Sequence, residues 1–166
     1  YAPYVTDLKG GDLIDKVMTR QELIDYLSVG DDDRFAAGSV YYNQTRDVHP
    51  PLYYWLLNFA SSLNAGTFSM WTGLVLNYVI YMLTLIVLYK LALLLFGSRV
   101  NAVCTVLLYG LSTIGLSTML MIRMYMLLTL WSVLLSYLIA LLMREKRTAL
   151  YPLVGVTVFA GLMTQY

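Results

Sequence analysis

A 43-residue apolar stretch dominates the second half of this chain, from Asn101 to Met143. Its single charged residue, Arg123, stands close to the middle. A helix needs about 20 mainly apolar residues to cross the hydrocarbon core of a bilayer, so this stretch is too long for one crossing. It divides at Arg123 into two predicted spans, residues 101–122 and 124–143.

Two more apolar blocks flank this stretch. Met70–Leu95 is long enough for one span, and Thr148–Tyr166 begins another. Over the whole chain, 59% of the residues are hydrophobic and 13% are charged, against about 45–50% and about 25% in soluble domains. The sequence therefore predicts an all-α membrane protein with four transmembrane helices, and it excludes an ordinary soluble domain.

Charge divides the chain into a polar head and an apolar body. Residues 1–48 hold nine of the ten acidic and five of the eleven basic residues. We predict that residues 1–69 form an acidic extracytoplasmic loop with juxtamembrane helices, and that residues 70–166 form the transmembrane bundle. The chain lacks an initiator Met and stops within an apolar run. We therefore expect a piece of a longer protein, with at least one span before Tyr1.

Basic residues set the predicted orientation, because they collect in cytoplasmic loops. With the head outside, the span at 70–95 runs inward and the following spans alternate. Five of the six basic residues after residue 48 then lie in the cytoplasm, and Arg123 lies at the outer boundary. The sequence thus predicts a multi-pass protein of the plasma membrane with its site on the extracytoplasmic side.

The head contains short helical patterns around a loop. Thr19 and Glu22 form a capping box ahead of apolar residues at helical spacing. Residues 31–46 are polar and lack a period, which predicts an irregular loop. The prolines at 50–51 suit the start of a helix. The amphipathic stretch at 52–63 is too short to span and is predicted to lie on the membrane surface.

Asp47 and His49 stand two residues apart, where the two prolines fix the backbone. A carboxylate and an imidazole can together coordinate a divalent metal ion, orient a phosphate or support a general base. The alternative is a rigid helix start with a charge at its N-terminal end. The chemistry of these residues leaves both interpretations open.

Four polar residues that are scattered in sequence converge on the predicted outer level, namely Asp47, His49, Arg123 and Gln165. A guanidinium binds phosphate through two parallel hydrogen bonds, and an arginine near lipid normally faces a cavity or a partner. The alternative is an arginine whose side chain reaches the lipid headgroups.

The string Asp-Val-His-Pro-Pro-Leu at 47–52, followed by an aromatic pair, resembles the end of the first large external loop in GT-C-type glycosyltransferases. It is similar to the protein O-mannosyltransferases and to the bacterial transferases related to the aminoarabinose transferase of lipid A. Arg-Met-Tyr at 123–125 resembles an Arg-x-Tyr element of many bacterial members. Residues 161–166 resemble the segment that ends the next outward span, and Gln165 stands where relatives often carry a cation.

This resemblance covers essentially the whole chain and implies a function. It implies transfer of a sugar from a polyprenyl-phosphate carrier to an extracytoplasmic lipid, glycan or protein, with the lipid bilayer as a partner and no nucleic acid. The resemblance places the main catalytic Asp before Tyr1, so the isolated chain is expected to be inactive. Asp47 and His49 are then supporting catalytic residues, and they are the candidates for a divalent metal ion.

The resemblance also favours particular substrate contacts. It favours Arg123 as the residue that holds the carrier phosphate. Tyr125 and Gln165 are predicted to contact substrate with it, and Tyr54 has a ring that can stack on a sugar. Aromatic residues are common at the membrane interface in any case, which is the alternative for Tyr54.

Two other classes of function remain as alternatives. A transporter or flippase of a lipid or anionic solute would show charges within its spans and broken helix pairs in both halves. The sequence shows one arginine at membrane level, one proline in the spans and no repeat. The third possibility is a non-catalytic membrane subunit.

Overall fold

The computed structural model describes residues 17, 19–31, 33–45 and 49–165, and within them the chain is helical and contains no strand. In chain order the helices are α1 (Arg20–Leu27), α2 (Ala37–Gln44), α3 (Leu52–Ser62), α4 (Met70–Phe96), α5 (Arg99–Gly110), α6 (Thr113–Leu120), α7 (Tyr125–Glu145) and α8 (Tyr151–Leu162). The predicted all-α class is confirmed. Two compact units divide the chain, one up to Leu76 and one from Asn77 onward.

The predicted arrangement of four spans is confirmed only in part by the described residues. Among the described residues, α4 and α7 are each long and apolar enough to cross a bilayer. The pair α5–α6 counts as a third span if it crosses as one bent unit. The apolar helix at Thr148–Leu162 is shorter than a full crossing requires. The structure therefore has two or three candidate spans by length.

The first unit begins with the predicted capping box. The backbone N–H of Thr19 donates to Glu22 Oε2 at 2.7 Å, and the backbone N–H of Glu22 donates to Thr19 Oγ1 at 3.3 Å. These two bonds satisfy donors that the first turn of α1 would otherwise leave free. The capping-box prediction is confirmed. The sequence also carries a weaker helical pattern over residues 11–18, of which the structure describes residue 17 alone.

The predicted irregular loop at 31–46 is wrong, because α2 forms within it. The helix is stabilised by contacts with α3, which its own polar sequence does not indicate. Trp55 of α3 donates its indole N–H to the Ala37 carbonyl at 2.9 Å, and its ring stacks on Tyr41 with the centroids 6.4 Å apart. Val40 is fully buried. Contacts with α3 therefore override a weak local preference, which sequence periodicity does not reveal.

Helix α3 starts directly after the two prolines, as predicted, with Pro51 at its N-cap. Its 11 residues make it about 16 Å long, which is about half of the hydrocarbon thickness. Asn58 and Ser62 are buried, whereas Phe59 and Leu63 are exposed. The two polar residues lie on the inward side together with the fully buried Tyr53, and the apolar Phe59 and Leu63 face outward.

The second predicted span is broken. Helices α5 and α6 meet at an angle of 56° in place of one helix over 101–122. Ser112 caps α6 by accepting from the Gly115 N–H at 3.0 Å and donates to the Tyr109 carbonyl at 2.7 Å. The hydroxyl of Tyr81 in α4 donates to the Gly110 carbonyl. The sequence at the break is Gly-Leu-Ser, from Gly110 to Ser112. Helices often kink where a glycine and a serine stand close together.

Helices α7 and α8 form an antiparallel hairpin. The indole N–H of Trp131 donates to Thr164 Oγ1 at 3.1 Å, and a short 3-10 turn at Thr148–Leu150 joins the other ends. Pro152 lies in the first turn of α8, where its missing N–H leaves no hydrogen bond unmade.

Several polar side chains lie inside the second unit beside buried apolar ones, and many large apolar side chains lie outside. Asn77, Thr84, Thr157 and Thr164 are at most 2% exposed. Leu108, Leu111 and Ile114 in the broken pair are among the large apolar residues that are exposed. This distribution would be unstable in water, but it suits lipid, which solvates apolar side chains and leaves polar groups to pair inside.

Gly115 is expected to be essential to the packing at the break. A Cβ at this position would lie 2.5 Å from the Tyr109 carbonyl oxygen and 3.2 Å from Ser112 Oγ. Gly115→Ala should therefore strain the cap of α6 by about 1–3 kcal/mol, as overpacking usually does. In thermal unfolding of the detergent-solubilised protein, we expect a fall of about 5 °C in Tm.

Gly155 in α8 provides the matched comparison. A Cβ there would meet open space, so Gly155→Ala should leave Tm unchanged or raise it slightly, since alanine favours helix over glycine by about 1 kcal/mol. Equal behaviour of Gly115→Ala and Gly155→Ala would contradict the described geometry of the break.

Candidate functional site

The predicted site residues fall in both units. His49 and Tyr54 belong to the first unit, whereas Arg123, Tyr125 and Gln165 belong to the second. Asp47 lies outside the described residues.

His49 is partly buried directly before α3. Its Nδ1 atom is inaccessible to solvent and has no hydrogen-bond partner among the described residues. Pro50 and Pro51 behind it are buried and fix the backbone. A buried imidazole nitrogen without a partner costs free energy, and such a group in a native structure calls for an explanation, such as a ligand.

Tyr54 lies in the first turn of α3, beside the two prolines. It is partly buried, and its ring meets that of the fully buried Tyr53 edge to face, with the centroids 5.8 Å apart. This arrangement fixes the ring plane of Tyr54 through packing.

Arg123 lies in the non-helical segment between α6 and α7, and it is exposed. It forms no ion pair with a described residue, and its backbone N–H donates to the Met121 carbonyl at 2.7 Å. Met124 follows as the N-cap of α7 and is fully buried. A methionine supplies no side-chain cap to the first N–H groups of this 21-residue helix, which begins two residues after Arg123.

The segment that carries Arg123 is held by a residue which our reading of the sequence missed. Asn77 of α4 donates its side-chain N–H groups to the carbonyls of Met119 and Met121, at 3.1 Å and 2.6 Å. Asn77, Tyr81 and Thr84 follow each other at helical spacing within an apolar block, and this polar stripe is the signal that could have found it.

Gln165 follows the end of α8 and is partly buried. Its Oε1 atom is inaccessible to solvent and has no hydrogen-bond partner among the described residues. The preceding Thr164 is fully buried and accepts from Trp131 of α7, six residues beyond the start of that helix at Tyr125. Six residues correspond to about 9 Å along the axis. Gln165 therefore lies at the same end of the second unit as Arg123.

Most basic residues of the second unit belong to the opposite end. Arg144, near the end of α7, donates through Nη1 to the Leu94 carbonyl near the end of α4 at 3.2 Å. This bond brings the two helix ends together, far along both helices from the segment at Arg123. Lys90, Arg99, Lys146 and Arg147 are close in sequence to these ends. The second unit is thus polarised, with one arginine at one end and five basic residues at the other.

A metal site is not evident in the part of the chain that the structure describes. No group of three or more His, Cys, Asp or Glu side chains occurs there. His49 alone provides one ligand, which does not make a site. A divalent metal ion at Asp47 and His49 stays a prediction.

Comparison with known proteins identifies the family of the chain. The sequence model of the family described as dolichyl-phosphate-mannose-protein mannosyltransferase matches residues 48–166, well over half of the chain. Neither the curated proteins nor the solved structures contain a match. The matched region runs from the His-Pro-Pro string to the end of α8 and includes Arg123. The family is that of a GT-C-type membrane glycosyltransferase of the mannosyltransferase kind, as its name and the apolar helices indicate. The chain therefore belongs to the dolichyl-phosphate-mannose-protein mannosyltransferase family.

Proposed function

We propose that this protein transfers a sugar from a polyprenyl-phosphate carrier to an extracytoplasmic acceptor, which is a lipid, a glycan or a protein. The observation that carries the proposal is the exposed Arg123 in a chain that belongs to a mannosyltransferase family. This exposed arginine has no ion-pair partner among the described residues and stands apart from the basic end of the second unit.

The environment of Arg123 suits the phosphate of such a carrier. Its guanidinium can bind two phosphate oxygens in parallel. The N-terminus of α7 follows two residues later, and free N–H groups and the helix dipole both favour an anion there. A polyprenyl chain would lie in the bilayer beside the exposed apolar faces, and its phosphate would lie at the level of Arg123.

The proposed reaction is a single displacement with inversion at the anomeric carbon. The acceptor oxygen forms a bond to C1 of the sugar, and the bond between C1 and the phosphate oxygen breaks. The phosphate leaves on its lipid carrier, and Arg123 stabilises the charge that develops on it. The acceptor proton passes to a carboxylate base, which the family resemblance places before Tyr1.

Gln165 is proposed to contact the sugar. A neutral amide binds phosphate less strongly than a cation does. Because this position is often cationic in relatives, Gln165 is proposed to bind the sugar here and not the phosphate. The buried Oε1 atom of Gln165 is an acceptor without a described partner, and sugar hydroxyls are donors. Tyr125, the first residue of α7 and partly exposed, is proposed to contact the same substrate.

His49 and Asp47 are proposed to act on the acceptor side, with a divalent metal ion as one way to do so. His49 contributes a buried nitrogen without a described partner. The reaction above requires no step through the metal. Tyr54, in the first turn of α3, is proposed as a surface on which a sugar ring stacks.

The proposed placement in the plasma membrane has four crossings and an extracytoplasmic site. Helices α4 and α7 cross fully, the pair α5–α6 crosses as one bent unit, and α8 crosses with the residues that flank it. Helix α3 lies on the outer surface, with the exposed Phe59 and Leu63 toward lipid.

The proposal is tested with the full-length protein in membranes, incubated with radiolabelled polyprenyl-phosphate sugars. We expect wild type to turn over one of these donors and His49→Ala to lower turnover about tenfold, the equivalent of one hydrogen bond to a charged or reacting group. His49→Asn keeps a side chain that can form hydrogen bonds and should retain more activity than His49→Ala.

Failure of wild type to turn over any donor would overturn the proposal and favour a transporter, for which ligand flux is the assay. The bent pair α5–α6 is the feature that a transporter would share. Its break at Leu111 and Ser112 carries no charge, however. Normal turnover by His49→Ala would remove His49 from the site.

A further inference from the structure

We propose that Asn77 is a positioning residue for Arg123: it holds the backbone turn that aims the guanidinium at the carrier phosphate. This inference rests on the proposed function of Arg123. It is carried by the two hydrogen bonds that join α4 to the end of α6, two residues before Arg123.

The end of α6 leaves backbone carbonyls without helical partners. The helix stops at Leu120, and Met121 adopts an extended conformation with φ −81° and ψ 111°. The last four carbonyls of any helix lack an N–H from the next turn. A carbonyl that faces the interior of the protein, as those directed at the buried Asn77 do, is shielded from water and needs a donor from the protein.

Asn77 supplies two donors to these carbonyls. Its side-chain nitrogen carries two N–H groups and lies 3.1 Å from the Met119 carbonyl and 2.6 Å from the Met121 carbonyl. Asn77 is fully buried. The Met121 carbonyl also accepts from the backbone N–H of Arg123 at 2.7 Å. One oxygen thus links Asn77 to the backbone of Arg123.

The same face of α4 also contacts the break between α5 and α6. Tyr81, four residues after Asn77, donates to the Gly110 carbonyl at the α5–α6 break. Thr84, seven residues after Asn77, is equally buried but donates only within its own helix, to the Ile80 carbonyl. Helix α4 therefore holds both irregular segments, and Thr84 offers a comparison position that holds neither.

The first test measures donor turnover by Asn77→Leu, which keeps the side-chain shape and removes both donors. We expect the protein to fold and kcat/KM for the donor to fall about tenfold, as loss of the two bonds lets Arg123 shift. Thr84→Val, a buried change of similar size in the same helix, should stay within about twofold of wild type.

A double-mutant cycle separates positioning from general stability. If Asn77 acts through Arg123, the change Asn77→Leu adds little to Arg123→Ala. If Asn77 is merely structural, the two losses multiply, and the proposal is overturned. Wild-type kinetics in Asn77→Leu would overturn it as well.

A second readout does not depend on turnover. The exposed Cys104 is first replaced by serine, and a thiol is introduced by Arg123→Cys. We expect Asn77→Leu to change the rate of maleimide labelling of this thiol several-fold, whereas Thr84→Val leaves it unchanged. An unchanged rate in Asn77→Leu would overturn the positioning role. If the labelling rate changes but the protein turns over no donor, the role of Asn77 in holding the turn stands and the proposed function fails.

Discussion

Replacement of Arg123 by alanine is expected to lower donor turnover by about 100-fold in the full-length protein, while expression stays normal. The expected loss reflects two charge-assisted hydrogen bonds to the carrier phosphate, together worth about 3 kcal/mol, where about 1.4 kcal/mol corresponds to a factor of ten. The loss should appear in kcat as well as in KM. The phosphate gains charge as the sugar leaves, so Arg123 stabilises the transition state more than the ground state.

Two variants make this measurement specific. Arg123→Lys keeps the charge but loses the parallel pair of bonds, so it should lie between wild type and Arg123→Ala. Arg99→Ala removes an exposed arginine at the opposite end of the second unit and should leave turnover unchanged. Normal turnover by Arg123→Ala would show that the side chain only reaches lipid headgroups, the alternative left open by the sequence.

The sequence predicted the long helices well because their signal is strong. A run of more than 20 apolar residues has few structural outcomes in lipid, and α4 and α7 appear within two residues of the predicted bounds. The capping box and the start of α3 were equally direct, because each depends on local backbone chemistry. Family membership was predicted from the His-Pro-Pro string and is confirmed over 48–166.

The features that the sequence did not reveal depend on contacts between distant residues. Asn77 meets Met121 across 44 positions, and Tyr81 meets Gly110 across 29. Periodicity describes one helix at a time and does not say which helix supplies a donor to which carbonyl. The break at Ser112 was visible as a Gly-Leu-Ser sequence, but its apolar surroundings favoured one continuous span.

The candidate site also combines residues that the sequence indicates with contacts that it does not reveal. Arg123 was a candidate because a charge in an apolar run is conspicuous, whereas the turn that holds it depends on α4. The position of Gln165 near the start of α7 depends on the bond between Trp131 and Thr164, which are 33 residues apart. The sequence therefore supplied the candidate residues, and the structure shows which contacts hold the segments that carry Arg123 and Gln165.

Cysteine labelling is expected to place the two ends of the second unit on opposite sides of the membrane. With Cys104 replaced by serine, the thiol introduced by Arg123→Cys should react with a membrane-impermeant maleimide in intact cells. The thiol introduced by Lys146→Cys should react only after permeabilisation. Both positions are exposed beside the ends of α7, so accessibility within the protein does not distinguish them.

The physical reason is the uneven distribution of charge along the spans. Arg144 and Lys146 lie at the C-terminal end of α7. The bond from Arg144 to Leu94 holds this end beside the C-terminal end of α4, which Arg99 follows in sequence. Basic residues near span ends are retained in the cytoplasm, and five of them at one end outweigh Arg123 at the other. The hairpin of α7 and α8 then returns Gln165 to the side of Arg123.

Two other labelling patterns would contradict the proposed orientation. Reaction of Lys146→Cys in intact cells, without reaction of Arg123→Cys, would place the candidate site in the cytoplasm and exclude an extracytoplasmic acceptor. Reaction of both would mean that α7 does not cross. The Cys104→Ser protein should give no signal, and denatured samples of both variants should react equally, which excludes a difference in expression. The expected pattern leaves Arg123 facing the compartment in which the proposed transfer takes place.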